Sequence, residues 1–271
     1  MPVLAQDTSG LIPEPGCETG HLAAQGGPVR HMARIGSFIR EVASGGMALL
    51  LPDTCAVCEL PLESWPDRHV CRACWGAVRP FSGPTCRCGY PVPPGQTQCA
   101  ACALSPYSFG VGRSAFAYEA PVREIIHAFK YGRRRVLGAQ LARRALQSAK
   151  PRNNVTLVPV PSHWRRRHQR GFNPAEDVAR EIARALRLPM RRPLNKLRTT
   201  AAQASLPARQ RRENLRGAFS IRFGPTRWLS GARLCLVDDV ATTMSTIREC
   251  AAVLMQAGAA SVDFFTIART L

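Results

Sequence analysis

Acidic residues are scarce in this chain: 18 Asp and Glu stand against 37 Lys and Arg, a formal net charge of +19 over 271 residues. That deficit excludes an acidic, cation-buffering surface and favours polyanionic partners, nucleic acid among them. Long hydrophobic runs are missing as well. No stretch of about 18 apolar residues occurs, so no membrane span is expected. The first 45 residues show no early basic end followed by a continuous apolar core, which argues against a secretion leader and for a cytoplasmic protein with reduced cysteines. No histidine is tied to a cysteine by a recognised motif, which removes the usual pattern of a catalytic thiol.

What the chain has in abundance is paired cysteine. Eight of its 11 cysteines fall between Cys55 and Cys102 as Cys55/Cys58, Cys71/Cys74, Cys86/Cys88 and Cys99/Cys102. Three pairs are C-x₂-C and one is C-x-C, and two such thiolate pairs complete a tetrahedral Cys₄ zinc site. Eight ligands therefore point to two structural zinc ions. Consecutive pairing puts Cys55, Cys58, Cys71 and Cys74 in one site and Cys86, Cys88, Cys99 and Cys102 in the other; an interleaved pairing, first pair with third, is the alternative. Zinc would supply folding energy that so short and Gly/Pro-rich a segment cannot draw from a core. Disulfides are disfavoured without a leader, and iron–sulfur ligation without a tight run of four ligands. Cys235 and Cys250 read as small apolar core residues, and Cys17 lies in the tail.

A second signal runs from Arg233 to Thr246, reading Arg-Leu-Cys-Leu-Val-Asp-Asp-Val-Ala-Thr-Thr-Met-Ser-Thr. Leu234 to Val237 is a short apolar run of the kind buried in a parallel sheet, and Ile247 to Ala257 carry apolar residues at helical spacing. A strand ending in two acids and a hydroxyl-rich turn that opens a helix is suited to a sugar phosphate. Ligands of open α/β sheets bind at the carboxyl ends of strands, where a helix N-terminus offers free N–H groups and partial positive charge. Thr242, Thr243, Ser245 and Thr246 add hydroxyl donors beside Ala241 and Met244, while Asp238 and Asp239 suit ribose hydroxyls or a magnesium ion. An Asp-Asp pair alone is as readily a cap and turn. Four hydroxyls in the next seven positions favour the site.

The remaining chain organises around these signals. Residues 1–45 read as a flexible Gly/Pro-rich tail leading into an amphipathic helix over 31–51, residues 46–105 as the double zinc ribbon, and 106–271 as an α/β body. Strands are expected over 111–118, 155–160, 234–237 and 262–267, and helices over 122–129, 137–149, 174–186 and 245–256. Pro174 suits a first helical position. This alternation implies an α/β fold with a doubly wound parallel sheet. Basic runs recur at Lys130 to Arg135, Arg165 to Arg170, Arg187 to Arg198 and Arg209 to Arg216; each alone is an ordinary solvated face, but together they suit nucleic-acid phosphates.

The Asp238-to-Thr246 segment resembles the phosphoribosyl-pyrophosphate loop of type I phosphoribosyltransferases. Together with Val158-Pro159-Val160-Pro161, Arg167, Arg170-Gly171-Phe172-Asn173, Gln203, Arg209, Arg212, Asn214 and Gly217-Ala218-Phe219, the chain from about residue 45 onward resembles the ComF family, which includes the competence protein ComFC and GntX-like relatives. The resemblance implies a type I phosphoribosyltransferase-like domain behind a double zinc ribbon, binding phosphoribosyl pyrophosphate with Mg²⁺. It places Lys130 near the pyrophosphate side of the pocket, and Arg167 and Arg170 on a mobile loop that closes over substrate. The acceptor is not given. The implied partners are single-stranded DNA and proteins of the competence machinery, in a cytoplasmic protein of DNA uptake. Two readings of function follow: a phosphoribosyltransferase, or a non-catalytic zinc-containing single-stranded-DNA-binding protein with a vestigial sugar-phosphate pocket. Two positions depart from the family pattern. Met244 stands where a glycine is usual, and a Cβ in a left-handed conformation costs about 1–2 kcal/mol. Pro174 stands where Gln is frequent.

Overall fold

The structure is a computed structural model that describes residues 54–62, 69–104, 109–132, 134–197, 217–224 and 226–271. The expected tail and amphipathic helix, together with Gln203, Arg209, Arg212 and Asn214, lie outside the described residues. Residues 52–271 form one compact unit.

Four parallel strands make the central sheet: β1 (Gly112–Ala117), β2 (Thr156–Pro159), β5 (Arg233–Ala241) and β6 (Ser261–Arg269), in the order β1-β6-β5-β2. Alternation along the strands sends successive side chains to opposite faces. Cys235, Val237, Phe265 and Ile267 face the helices α3 (Val122–Tyr131), α4 (Val136–Ser148) and α6 (Pro174–Leu186), burying Ile125, Phe129, Leu141 and Ile182. Leu234, Leu236, Val262 and Phe264 face the other way, onto Ile247, Cys250 and Leu254 of α7 (Ser245–Gln256). Helices thus cover both faces, as the doubly wound reading requires. The Pro174–Leu186 helix begins on its proline with Glu176 and Asp177 in the first turn, where the helix dipole favours acids.

Three features depart from the sequence expectations. β5 does not stop at Val237 but runs through both acids to Ala241, because β6 continues to offer partners: Asp238 pairs with Thr266 and Ala241 with Arg269. The segment expected as a loop bearing Arg167 and Arg170 is instead a seven-residue helix, α5 (Trp164–Arg170). His163 Nδ1 accepts the Arg165 N–H at 3.2 Å at its start, and left-handed Gly171 closes it by donating to the Arg167 carbonyl at 2.8 Å. A two-stranded antiparallel ribbon, β3 (Leu194–Lys196) and β4 (Phe219–Ile221), went unanticipated; three-residue strands carry too little alternation to read. Two five-residue helices, α1 (Arg72–Gly76) and α2 (Ala100–Leu104), belong to the cysteine-rich region.

Candidate functional site

The eight paired cysteines come together as two clusters, Cys55, Cys58, Cys71 and Cys74, and Cys86, Cys88, Cys99 and Cys102, with the sulfurs of each cluster within 4.8 Å of one another. Pairing is consecutive, and the interleaved alternative is excluded. Backbone N–H groups aim at the sulfurs, Cys71 N–H at Cys55 Sγ (3.3 Å) and Cys74 N–H at Cys71 Sγ (3.4 Å). Burial pushes the Cys55 thiol up, but N–H donation from Cys58, Cys71 and Val57 outweighs it and brings the thiol down to about 6. Cys86 is likewise brought down to about 7 by donation from Cys88 and Cys99. Burial and the neighbouring sulfurs push Cys74 and Cys102 the other way, so each cluster pairs a lowered thiol with raised ones; four sulfur donors at this separation fit zinc.

At the end of β5 the two acids part company. Asp239 lies on the face of α3, whose last turn delivers Lys130 Nζ to Asp239 Oδ1 at 2.7 Å. Burial alone would lower Lys130, yet the charges of Asp239 and Asp238 raise it. Asp238 lies on the other face, near Lys196 of β3 and Cys250 of α7. Desolvation and the Asp239 charge push Asp238 up to about 7, against opposing pulls from Lys130 and Lys196. Lys196 is itself lowered by burial and by the Arg166 charge.

After Ala241, which is buried, the chain turns through exposed Thr242 to Met244 at φ 62° and ψ 0°, the left-handed cap before α7. The glycine of the family pattern is thus replaced by a residue that keeps the glycine conformation. Thr243 Oγ1 and Ser245 Oγ share a hydrogen bond at 3.0 Å, and Thr246 is half-buried in the first turn. The Met244 side chain is 3% exposed, and its sulfur lies 3.4 Å from Arg269 Nη1.

Of the expected cationic residues, Lys130 joins the acids directly. Arg170 is tied to the same helix, donating to Tyr131 Oη at 2.6 Å and lying 4.5 Å over its ring. Arg167 instead lines a cleft of about 160 Å³ beyond the carboxyl end of β2, with Ser162, Asn173, Arg192, Lys196 and Arg222. The structure therefore links Arg167 to Lys196 and Arg170 to the Lys130 helix. Lys196 and Arg269 carry no local sequence signal of a site. Lys196 is one cation among several in the Arg187 to Arg198 run, and Arg269 closes an apolar strand with no motif around it.

The model of the double zinc ribbon domain matches residues 46–103. Over 233 residues the chain is 32% identical to the DNA utilization protein YhgH of Salmonella typhi, covering 82% of this chain and all of that protein. It is 28% identical over 209 residues to competence protein F of Haemophilus influenzae (74% and 90% coverage) and 26% identical over 249 residues to competence protein ComFC of Bacillus subtilis (84% and 98%). A solved glutamine phosphoribosylpyrophosphate amidotransferase from B. subtilis overlaps 51% of this chain and 26% of its own, with 22% identity and a TM-score of 0.33. With a relative matched from end to end, and the cysteine clusters ahead of the parallel sheet, the chain belongs to the ComF family of competence and DNA utilization proteins.

Proposed function

We propose that the carboxyl end of β5 binds phosphoribosyl pyrophosphate with Mg²⁺ in a protein of DNA uptake and utilization, and that the domain transfers the phosphoribosyl group to an acceptor the geometry does not name. The observation that carries this reading is the division of labour between the acids. Asp239 is neutralised by Lys130 at 2.7 Å, whereas Asp238 is left on the opposite face with its proton affinity raised, directly ahead of a hydroxyl-rich turn and a helix start. Asp238 suits a magnesium ion or a ribose hydroxyl, and Asp239 holds Lys130 in place. Bound magnesium would neutralise pyrophosphate oxygens as they leave the anomeric carbon. In this reading the start of α7, with Thr242, Thr243, Ser245 and Thr246, takes the 5′-phosphate. The cations of the Arg167 and Lys196 cleft supply positive charge for the departing pyrophosphate.

Calorimetric titration with phosphoribosyl pyrophosphate and Mg²⁺ tests this. Asp238→Asn leaves the Lys130 pair intact and should abolish magnesium-dependent binding; equal binding in the variant rejects the assignment.

A second reading, a non-catalytic protein handling single-stranded DNA, is favoured by tryptophan rings interleaved with arginine, one exposed (Trp164) and one half-buried (Trp228). Trp164 is 64% exposed with Arg165 stacked 5.3 Å from its ring, and Arg191 lies 5.7 Å from the Trp228 ring. It predicts oligonucleotide binding that weakens steeply with salt and survives Asp238→Asn. Absence of binding at low salt removes it.

A further inference from the structure

Arg269, the last residue of β6, is 5% exposed, and among the described residues it pairs with no carboxylate. Nη1 donates to the main-chain carbonyl of Cys88 at 2.5 Å and touches Met244 Sδ at 3.4 Å, the guanidinium sits 5.2 Å from the Tyr90 ring centroid, and Nε is buried without a hydrogen-bond partner. These uncharged contacts do not offset the desolvation of a guanidinium, and arginine does not deprotonate to escape that cost. The second cysteine cluster presents the complementary problem. All four of its cysteines are buried, and four thiolates around one divalent zinc leave a formal excess of negative charge. Arg87, inside the same segment, does not answer it: that side chain is exposed and donates to the carbonyls of Phe109 and Gly110.

We propose that Arg269 is the counter-charge of the second zinc–thiolate cluster, and that zinc held there fixes the end of β6 and, through Met244, the turn before α7. Placement supports this. Cys88 belongs to the cluster, Tyr90 follows it by two residues, and Cys99 lines the same cleft of about 380 Å³ as the guanidinium. Thr242, Thr243 and Met244 line that cleft as well, so one side chain touches the ribbon and the turn at once. Attraction between a buried cation and a buried anionic cluster is screened far less than the same pair on the surface. The first cluster meets solvent through Cys58, where water takes the place of a counter-ion. Met244 gains a part in the arrangement: its buried thioether gives Arg269 a contact that glycine lacks. None of these roles depends on what the turn binds.

The test is competition for zinc between the zinc-loaded full-length protein and graded chelator, with the release of each cysteine pair read by thiol alkylation and mass spectrometry. Arg269→Met should weaken zinc binding at Cys86, Cys88, Cys99 and Cys102 about tenfold or more, as loss of an outer-shell partner does, and leave Cys55, Cys58, Cys71 and Cys74 unchanged. Arg269→Lys, which keeps the charge, should recover part of the loss; Arg269→Gln, which keeps a donor for the Cys88 carbonyl without the charge, should not. Unchanged zinc affinity in Arg269→Met overturns the proposal. So does an equal loss from both clusters, the mark of general destabilisation, or recovery by Arg269→Gln that matches Arg269→Lys. If the Arg269 variants do not fold, amide hydrogen exchange decides. Exchange across residues 242–246 and 266–271 should speed up in Cys99→Ser with Cys102→Ser and stay as in wild type in Cys58→Ser with Cys74→Ser; no change in the first pair, or the same change in both, overturns the proposal.

Discussion

The two cysteine clusters have the same chemistry and different neighbours. The first is open, with Cys58 exposed and Cys71 and Cys74 half-buried, and it packs through Ala56 and Val57 against the face of the sheet that carries α3, α4 and α6. Arg144 of α4 stacks 4.1 Å over Trp75 there. In the second cluster all four cysteines are buried, and the packing is onto the opposite face, beside Phe264 and Met244. Gly89 and Gly112 allow its closest approach to the sheet: a Cβ on Gly112 would lie 2.9 Å from the Cys88 carbonyl carbon, and Gly89 sits at φ 73°. One cluster staples a surface segment to helices. The other is built into the surroundings of the turn that follows β5.

The largest expected effect touches both clusters. Structural zinc in comparable sites supplies about 10–16 kcal/mol of apparent folding energy, so complete chelation should unfold residues 54–104, read by amide exchange, while metal assay of the untreated protein finds two zinc ions per chain. An unchanged melting curve in chelator would break the comparison at its root. Sharpening it takes one cluster at a time. Cys58→Ser with Cys74→Ser should cost one zinc and thermal stability but leave phosphoribosyl pyrophosphate affinity nearly unchanged, whereas Cys99→Ser with Cys102→Ser should cost one zinc and about tenfold in affinity. Equal effects on binding would dissolve the distinction.

A smaller effect concerns the two faces of β5. Lys130→Met strands a buried Asp239 carboxylate and should destabilise the protein by about 3 kcal/mol, most of which returns in Lys130→Met with Asp239→Leu. Urea melts of the two variants give both numbers. On the other face, Asp238 titrates near 3.9 when unfolded and about 7 when folded. The folded state binds more protons between those values, so this residue's contribution to stability falls as pH rises through that window. Asp238→Asn should flatten the slope and gain about 2 kcal/mol at a pH of about 8. Magnesium prefers the ionised form, so wild-type ligand affinity should rise over the same window.

How far the sequence foretold this arrangement depended on whether each signal was local. The cysteine pairs, the apolar core of β5 and the helix after the hydroxyl turn are stated by adjacent residues, and all stand where the spacing put them. The extension of β5 through Asp238 and Asp239 depends on ladder partners in β6, about 28 residues downstream, and no local pattern announces it. The α5 helix hides behind a run of arginines with no apolar face; its cap at His163 and its stop at Gly171 are visible only once the backbone is known. Lys196 and Arg269 matter through what the fold brings beside them.

The smallest effect belongs to Met244. Replacing it with glycine relieves about 1 kcal/mol of left-handed strain but removes a side chain whose burial is worth about 2 kcal/mol, so Met244→Gly should destabilise by about 1 kcal/mol. A gain in melting temperature would show that the thioether contributes nothing.

The sugar-phosphate site is tested most directly by ³¹P NMR of phosphoribosyl pyrophosphate with Mg²⁺, titrated with wild-type protein and with Asp238→Asn. The 5′-phosphate and both pyrophosphate resonances should shift with wild type and remain at their free positions with the variant. Unshifted resonances in wild type, or the same shifts in both proteins, would contradict the assignment.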